Sequence, residues 1–533
     1  MTRSAVLRRI AARLFPDGTL RGRLLRRARP PSIPEPPPWP AGAPEGDGSG
    51  FEVAHVRSRA DIGGLSGSGP RLLVFPDDRD LPYACRDLLV DSGAVAGSTS
   101  LATAHRLLLL SPNAVHAGDE AVLRRRAAGL LAAPPSAPLA RAERGHVVLQ
   151  ADHFTEGGLE QVVIDLGLAL RGAGFPVTIL ILGRAGTAAD RAREKGLAIK
   201  RGAMDESSYR AFLRESDCAL VNAHYSTFGA AVARDLGIPF VQTMHNTYLW
   251  FGDTEIAAYR RADRATAAYV CVSNEVARFA DLRIGLPPWK MVVVPNGVDE
   301  SARAADPRVR PRVREELGLS ADAKLIVQVG SIQPSKAQHV SIGALAGVVK
   351  RGCEAHLLFL GDVADEGYAE KAKTDAERKG VAHLVHWLGR RSDVPRFLAA
   401  GDVFVQPSLF EGWSLAITEA VLSGIPVIAT DVGGAREQLR GAIGTLLPAV
   451  IPDIARATQR DLLDALAAEH EGLQKECAAA LLERLGSPGA RANHRSAARF
   501  SASFAYKRCA DLFSRLMAGE EPWTARWAGG SLP

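Results

Sequence analysis

From His146 onward, short and almost uninterrupted apolar runs alternate with segments whose apolar residues recur at helical spacing. No other feature of the chain restricts its fold as much. The runs read HVVLQA, VTILILG, CALVNAH, PFVQTMH and AAYVCVS, and Leu159, Val162, Val163, Leu166 and Leu170 mark one face of a helix between the first two. Strands buried on both faces and joined by crossover helices make a parallel, doubly wound sheet. After VVVPNGVD a second series begins with KLIVQVG, AHLLFLGD, LVHWLG, VFVQP and PVIAT. At 533 residues the chain is too long for one core. The expected α/β fold is therefore two Rossmann-like domains, with strand-end loops facing each other across a cleft.

Residues 1–50 read as a basic tail and a proline- and glycine-rich linker, RPPSIPEPPPWPAGAPEGDGSG, that cannot pack a core. In the tail, Val6, Ile10, Leu14 and Phe15 stand opposite Arg8, Arg9 and Arg13. Either this is a basic amphipathic helix for an anionic membrane surface, or it is a disordered arginine-rich end. Residues 51–145 form an extra α/β segment of undisclosed role, in which RLLVF and HRLLLL are expected as strands. The acids of PDDRD after the first of these either hold a divalent cation or close a turn. Residues 146–296 and 297–497 are the two Rossmann-like domains, and 498–518 a terminal helix.

Composition excludes several classes. With 47% hydrophobic and 23% charged residues and a net charge of +6, the chain reads as soluble globular protein with no signal for nucleic acid. Six scattered cysteines without a C-x-x-C pair predict a reduced, cytoplasmic protein lacking disulfides and structural zinc. No apolar run approaches the roughly 18 residues that span a bilayer. Membrane contact is thus expected to be peripheral, through residues 1–30.

Chemistry is expected in the loops at the carboxyl ends of the strands, where open α/β sheets bind ligands. In FEGWSLAITEA two glutamates, Glu411 and Glu419, flank the start of a helix that Gly424 and Pro426 stop. Ser414 is a good cap for that helix, and the amides of Ser414 and Leu415 point out of its start toward an anion. Lys336, in GSIQPSKAQ, can supply a point charge for a phosphate or be an ordinary surface lysine. Together these groups neutralise a diphosphate without a metal. Glu411 then reaches a sugar and Glu419 the hydroxyls of a ribose, for which carboxylates are strong acceptors. Gly157-Gly158 opens a helix after the first strand, for close ligand approach or for tight packing. His245 ends PFVQTMH, where a ligand contact and a structural hydrogen bond are both open. His224 in VNAHYS shares that ambiguity.

These residues together resemble the retaining glycosyltransferases of family 4, which have the GT-B fold, from His146 to Leu516. FEGWSLAITEA is similar to the family's E-x7-E signature. VVPNGVD, PSLFEGW, IPVIATDVGGAREQ and HFTEGGLEQVV are similar to its surroundings, and FSASFAYKRCADLFSRL to its last helix, which crosses back to the first domain. The resemblance implies that Glu411 contacts the donor sugar and Glu419 the ribose. It implies that Lys336, with the amides of Ser414 and Leu415, binds the diphosphate. Gly158 lies by the phosphates, and His245 orients the sugar or acceptor. Two positions depart from the pattern: Ser331 replaces an arginine and Ala337 a glycine, with Arg390 or Arg391 as candidates to restore the missing charge.

The activity so implied is transfer of a sugar from a nucleotide-diphosphate sugar to a hydroxyl of a glycan or lipid-linked acceptor, with retention and without metal or other cofactor. Polysaccharide or lipopolysaccharide synthesis is the expected setting. A glycoside hydrolase would set two carboxylates about 5 to 10 Å apart around one bond, which a helix phosphate site argues against. E-x7-E also points away from a sugar-nucleotide epimerase. The alternative of another class is a catalytically silent module with the same fold that serves as a partner.

Overall fold

In the computed structural model the described residues lie between 52 and 522, with breaks chiefly within 62–70, 86–94, 117–143, 300–308 and 487–498. The basic tail, the linker and the membrane contact expected of residues 1–30 lie outside them. No helix among the described residues is long and apolar enough to cross a membrane. The described chain forms two compact units, one of residues 52–245, 256–294 and 506–522, the other of 246–255 and 295–505.

The first unit is built on a seven-stranded sheet of order β11-β10-β9-β8-β5-β6-β7. Its strands are β5 (His146–Ala151), β6 (Val177–Ile181), β7 (Ala198–Arg201), β8 (Cys218–His224), β9 (Phe240–Met244), β10 (Ala268–Cys271) and β11 (Met291–Val293). Every pairing is parallel. Val147, Val148 and Leu149 are wholly buried, as helices on both faces require. Strand order reverses between β5 and β8, so their crossovers diverge and a gap opens at their carboxyl ends.

The second unit repeats the plan with six parallel strands, in the order β14-β13-β12-β15-β16-β17. These are β12 (Lys324–Val329), β13 (Ala355–Leu360), β14 (Val385–Trp387), β15 (Val403–Gln406), β16 (Val427–Thr430) and β17 (Gly444–Leu447). Here the reversal falls between β12 and β15. Two doubly wound parallel sheets are the fold class the alternation predicts.

The extra segment is a parallel sheet of its own, β1 (Glu52–His55), β2 (Arg71–Phe75), β3 (Val95–Ser98) and β4 (Ala114–His116), paired in chain order. RLLVF is β2, as expected. HRLLLL is not a strand: it completes helix α1 (Leu101–Leu110). The stretch LATAHRLLLL has no β-branched residue after Thr103, and Ser100 Oγ accepts from the amide of Thr103 at its start. The three acids of PDDRD are all engaged within the protein, Asp80 lying 3.5 Å from the Arg278 guanidinium. Asp77 accepts from Ser100 and Thr103, and Asp78 from the amides of Asp80 and Leu81, which makes the turn.

The small sheet docks on its unit through one buried carboxylate. Asp281, 1% exposed in a π-helical turn (Ala280–Ile284), accepts from Arg106 Nε at 2.7 Å, Arg79 Nη2 at 3.1 Å and Tyr83 Oη at 3.1 Å. All three donors come from the extra segment. Removing one partner of a buried ion pair strands the other, at a cost of about 3–5 kcal/mol. Asp281→Asn is therefore expected to loosen the small sheet and speed tryptic cleavage within residues 71–110, with the six-stranded unit still protected. Cleavage at the wild-type rate would show that apolar packing alone holds the sheet.

Ala337, just after β12, has φ 51° and ψ 45°, the left-handed region that costs a residue with a Cβ about 1–2 kcal/mol. A glycine lacks that strain and loses about 0.5–1 kcal/mol of unfolded-chain entropy. Ala337→Gly is accordingly expected to leave the unfolding midpoint unchanged or raise it by a degree or two, which calorimetry would read. A lowered midpoint would mean that the buried methyl outweighs the backbone strain.

Candidate functional site

Lys336 and Glu411 meet at the switch point of the six-stranded sheet. Lys336 follows β12 and Glu411 follows β15, and Lys336 Nζ donates to Glu411 Oε1 at 2.5 Å. Glu411 is buried and the lysine side chain is 20% exposed, so solvent screens the pair little. The two loops are also tied by their backbones, Leu409 N–H donating to Ser335 C=O at 2.9 Å.

Two glutamines hold these loops from within the strands. Gln328 Nε2 in β12 donates to Lys336 C=O at 2.7 Å, and Gln328 Oε1 accepts from Ser341 at 2.7 Å. Gln406 Nε2 in β15 donates to Ser408 Oγ at 2.9 Å, and Ser408 donates to Glu411 Oε1 at 2.8 Å. Both glutamines are 1% exposed. Neither was singled out from sequence, although Gln328 lies inside an apolar run and Gln406 closes one, and a buried amide there demands a partner.

Helix α3 (Leu415–Ser423) starts beside Glu411 and ends at Gly424, φ 75°, the stop expected from sequence. Ser414 caps it, its Oγ accepting from Ile417 N–H at 3.4 Å. Helix geometry leaves the amides of Leu415 and Ala416 without intrahelical acceptors. Gln438 Nε2 anchors this end by donating to Ser414 C=O and Thr418 Oγ1, both at 2.7 Å. Gly433 is required by its φ of 58° and because a Cβ there would lie 2.7 Å from the carbonyl oxygens of Glu411 and Gly412. Glu419 is half-buried a turn further along α3. Lys336, Glu411, Ser414, Leu415 and Glu419 are thus gathered in one unit.

Neither candidate for the missing arginine is unengaged. Arg391 binds Asp393 through Nε and Nη2 at 2.8 and 2.9 Å, and Arg390 pairs with Asp362 at 3.1 Å. Asp362 C=O in turn accepts from Ile332 N–H, next to Ser331. Ser331 Oγ accepts from Gln333. The segment Asn246–Glu255, directly after His245, belongs to this same unit. Trp250 packs on Phe410 with ring centroids 6.1 Å apart, and its carbonyl accepts from Gln459 at 3.1 Å.

Gly157, Gly158 and His245 lie in the other unit. Gly157 caps helix α2 (Gly158–Gly172), and both glycines are exposed. A Cβ on Gly157 would meet only the Glu160 carboxylate, at 3.0 Å; the close approach of α2 to the sheet falls instead to Gly167, beside Leu149 and Leu197. Asp152, at the end of β5, was not singled out by sequence reading. Burial raises its carboxyl to about 6, against the lowering effects of a hydrogen bond with Ser226 and the nearby His153. His245 is buried, and its Nε2 lies 2.8 Å from His224 Nδ1. The two histidines that sequence left separate are one pair.

The Glycosyl transferases group 1 family matches residues 309–469, and Glycosyltransferase Family 4 matches residues 156–302. A D-inositol 3-phosphate glycosyltransferase of Streptomyces bingchenggensis is 32% identical over 329 residues, 56% of this chain and 67% of the relative. The UDP-Gal:alpha-D-GlcNAc-diphosphoundecaprenol alpha-1,3-galactosyltransferase of Escherichia coli is 28% identical over 239 residues, 42% of this chain and 60% of the relative. The first relatives are matched over 54 to 63% of their own length. Among solved structures, Anabaena HepE in complex with UDP shares the fold with a TM-score of 0.55 at 20% identity, over 69% of this chain and 99% of HepE. Family matches in chain order over both sheets, together with the inositol-phosphate relative, make this chain a member of glycosyltransferase family 4, with the GT-B fold.

Proposed function

We propose that the chain moves a sugar from a nucleotide-diphosphate sugar to a hydroxyl of a glycan or lipid-linked acceptor, with retention of anomeric configuration. The observation that carries this reading is the meeting of Lys336 and Glu411 beside the start of α3. An ammonium and outward-pointing helix amides suit a diphosphate, and they supply the positive charge that a metal would otherwise bring. Relatives named for an undecaprenol-linked sugar and for teichuronic acid biosynthesis support an acceptor on a lipid carrier or polymer.

In this reading a diphosphate competes with Glu411 for Lys336 and frees that carboxylate to face the sugar. Glu419 accepts from the ribose hydroxyls, Gly157 and Gly158 give backbone approach to phosphate, and His245 orients the sugar or acceptor. The anomeric carbon–oxygen bond to the diphosphate breaks as the acceptor oxygen bonds to that carbon from the same face. The acceptor's proton passes to the departing phosphate oxygen. Charge grows on the leaving group in an oxocarbenium-like transition state, where preorganised donors act most strongly. Lys336 and the α3 amides are those donors.

UDP is the nucleotide to try first, since the galactosyltransferase relative is named for UDP-Gal. At a hundredfold excess over its dissociation constant, a ligand of the folded state adds about 2.7 kcal/mol of stability. The unfolding midpoint is expected to rise with UDP, or else with GDP or ADP, and Lys336→Ala to lose the rise. No shift with any of the three would overturn the reading in favour of a silent module.

Glu411→Gln keeps the side-chain shape and removes the charge that competes for Lys336. UDP is expected to bind this variant at least as tightly as the wild type, while transfer falls by at least about 100-fold. Equal transfer by the variant would remove Glu411 from the mechanism.

A further inference from the structure

Among the described residues, both side chains that donate to Glu411 reach the same oxygen. Lys336 Nζ lies 2.5 Å and Ser408 Oγ 2.8 Å from Oε1, and neither bonds to Oε2. A carboxylate accepts through both of its oxygens, so crowding the donors onto one leaves the other for a ligand.

The two donors are held very differently. Lys336 carries its charge on a flexible four-carbon stem, and its side chain is 20% exposed. Ser408 is 1% exposed and fixed at both of its polar ends. Its carbonyl accepts from Thr430 Oγ1 at 2.5 Å, and its hydroxyl oxygen accepts from Gln406 Nε2 at 2.9 Å. Gln406 closes β15 and Thr430 closes β16, so two adjacent strands set the place of Ser408. The glutamine also sets the direction of the hydroxyl. Gln406 Oε1 is buried without a hydrogen-bond partner; turned over, the amide would strand its N–H groups there instead, and orphaned donors are rarer than orphaned carbonyls. With Nε2 donating, the one proton of Ser408 goes to Glu411, which as a carboxylate can only accept.

We propose that Ser408 is a positioning residue, which keeps hold of Glu411 Oε1 when a diphosphate draws Lys336 away and so leaves Oε2 for the sugar. The mobile donor departs and the rigid one stays. Without Ser408, that departure would leave a buried charge with no donor, and parting the ion pair would cost more. Ser408 thus serves diphosphate binding through Glu411, without touching the ligand. The release of Lys336 rests on the reading under the proposed function; the hold of Ser408 on the carboxylate does not.

Two measurements on the full chain test this. In a crystal structure of Lys336→Ala without nucleotide, Glu411 Oε1 is expected to remain within hydrogen-bond distance of Ser408 Oγ. A carboxylate swung away from the serine would overturn the proposal. Calorimetric titration with UDP then compares the wild type, Ser408→Ala, Glu411→Gln and the double variant. Ser408→Ala is expected to weaken UDP by about tenfold, the scale of a hydrogen bond to a charged group. In the Glu411→Gln background the same change is expected to have no effect, and Ser408→Thr, which keeps the hydroxyl, to bind as the wild type does. An equal loss in both backgrounds, the mark of a merely structural serine, would overturn the proposal, as would no loss in either. A wild type that binds neither UDP, GDP nor ADP, with the serine contact kept in Lys336→Ala, upholds the hold of Ser408 and strikes only the release of Lys336.

Discussion

Strands that neighbour each other in a sheet but send their crossover helices to opposite faces leave a gap at their carboxyl ends. In the six-stranded unit that gap lies between β12 and β15, and Lys336 and Glu411 fill it from either side. A close ion pair in a largely buried setting is worth having only where its geometry is held, because both ions have given up water. The surrounding polar groups supply that geometry. Gln328 fixes the backbone that carries the lysine, and Gln406 reaches the glutamate through Ser408. Gly433 lets a third loop press on the carbonyls of Glu411 and Gly412.

The seven-stranded unit has the same device at the same place. Gln150, next to last in β5 as Gln328 is in β12, donates to Ser226 Oγ and Phe228 C=O, each at 3.0 Å, in the loop after β8. Tyr209 closes the network by donating to Gln150 Oε1. A glutamine in the middle of a sheet costs the fold some hydrophobic burial. What it gives in return is a loop whose position is set by the rigid strands rather than by its own sequence. In both units the residues of interest lie within a few positions of the loop so held.

Both sheets were legible in the sequence because buried parallel strands are continuous apolar runs, a local signal. The components of the site were also local: a lysine after a strand, a capped helix, two glutamates in one motif. Their meeting was not. Lys336 and Glu411 are 75 residues apart, and His224 and His245 are 21 apart. Strand order, which a linear reading leaves open, is what joins them. Tyr225 shows a second limit, since nothing in VNAHYS announces a positive φ at tyrosine. HRLLLL shows a third: a short apolar run has no period of its own, and only the residues before it decided for helix.

The N-terminal sheet takes its logic from the edge it covers. β11 is the last strand of the seven-stranded sheet, and a bare edge is open to pairing with another chain. Helix α1 lies against β11 and the turn Pro288–Lys290 before it, where His105 meets Trp289 at 5.8 Å. The loop after β2, a carboxyl-end position where a free α/β sheet would bind its ligand, instead supplies Arg79 to Asp281, and the short helix Leu81–Ala84 that follows supplies Tyr83. Arg106, from the helix after β3, completes the set. Three donors on one buried carboxylate give this contact a direction that apolar packing lacks: a small sheet docked in any other orientation would leave the charge of Asp281 unpaired. The extra segment is thus fixed in register on its unit, and its own binding edge has become the means of attachment.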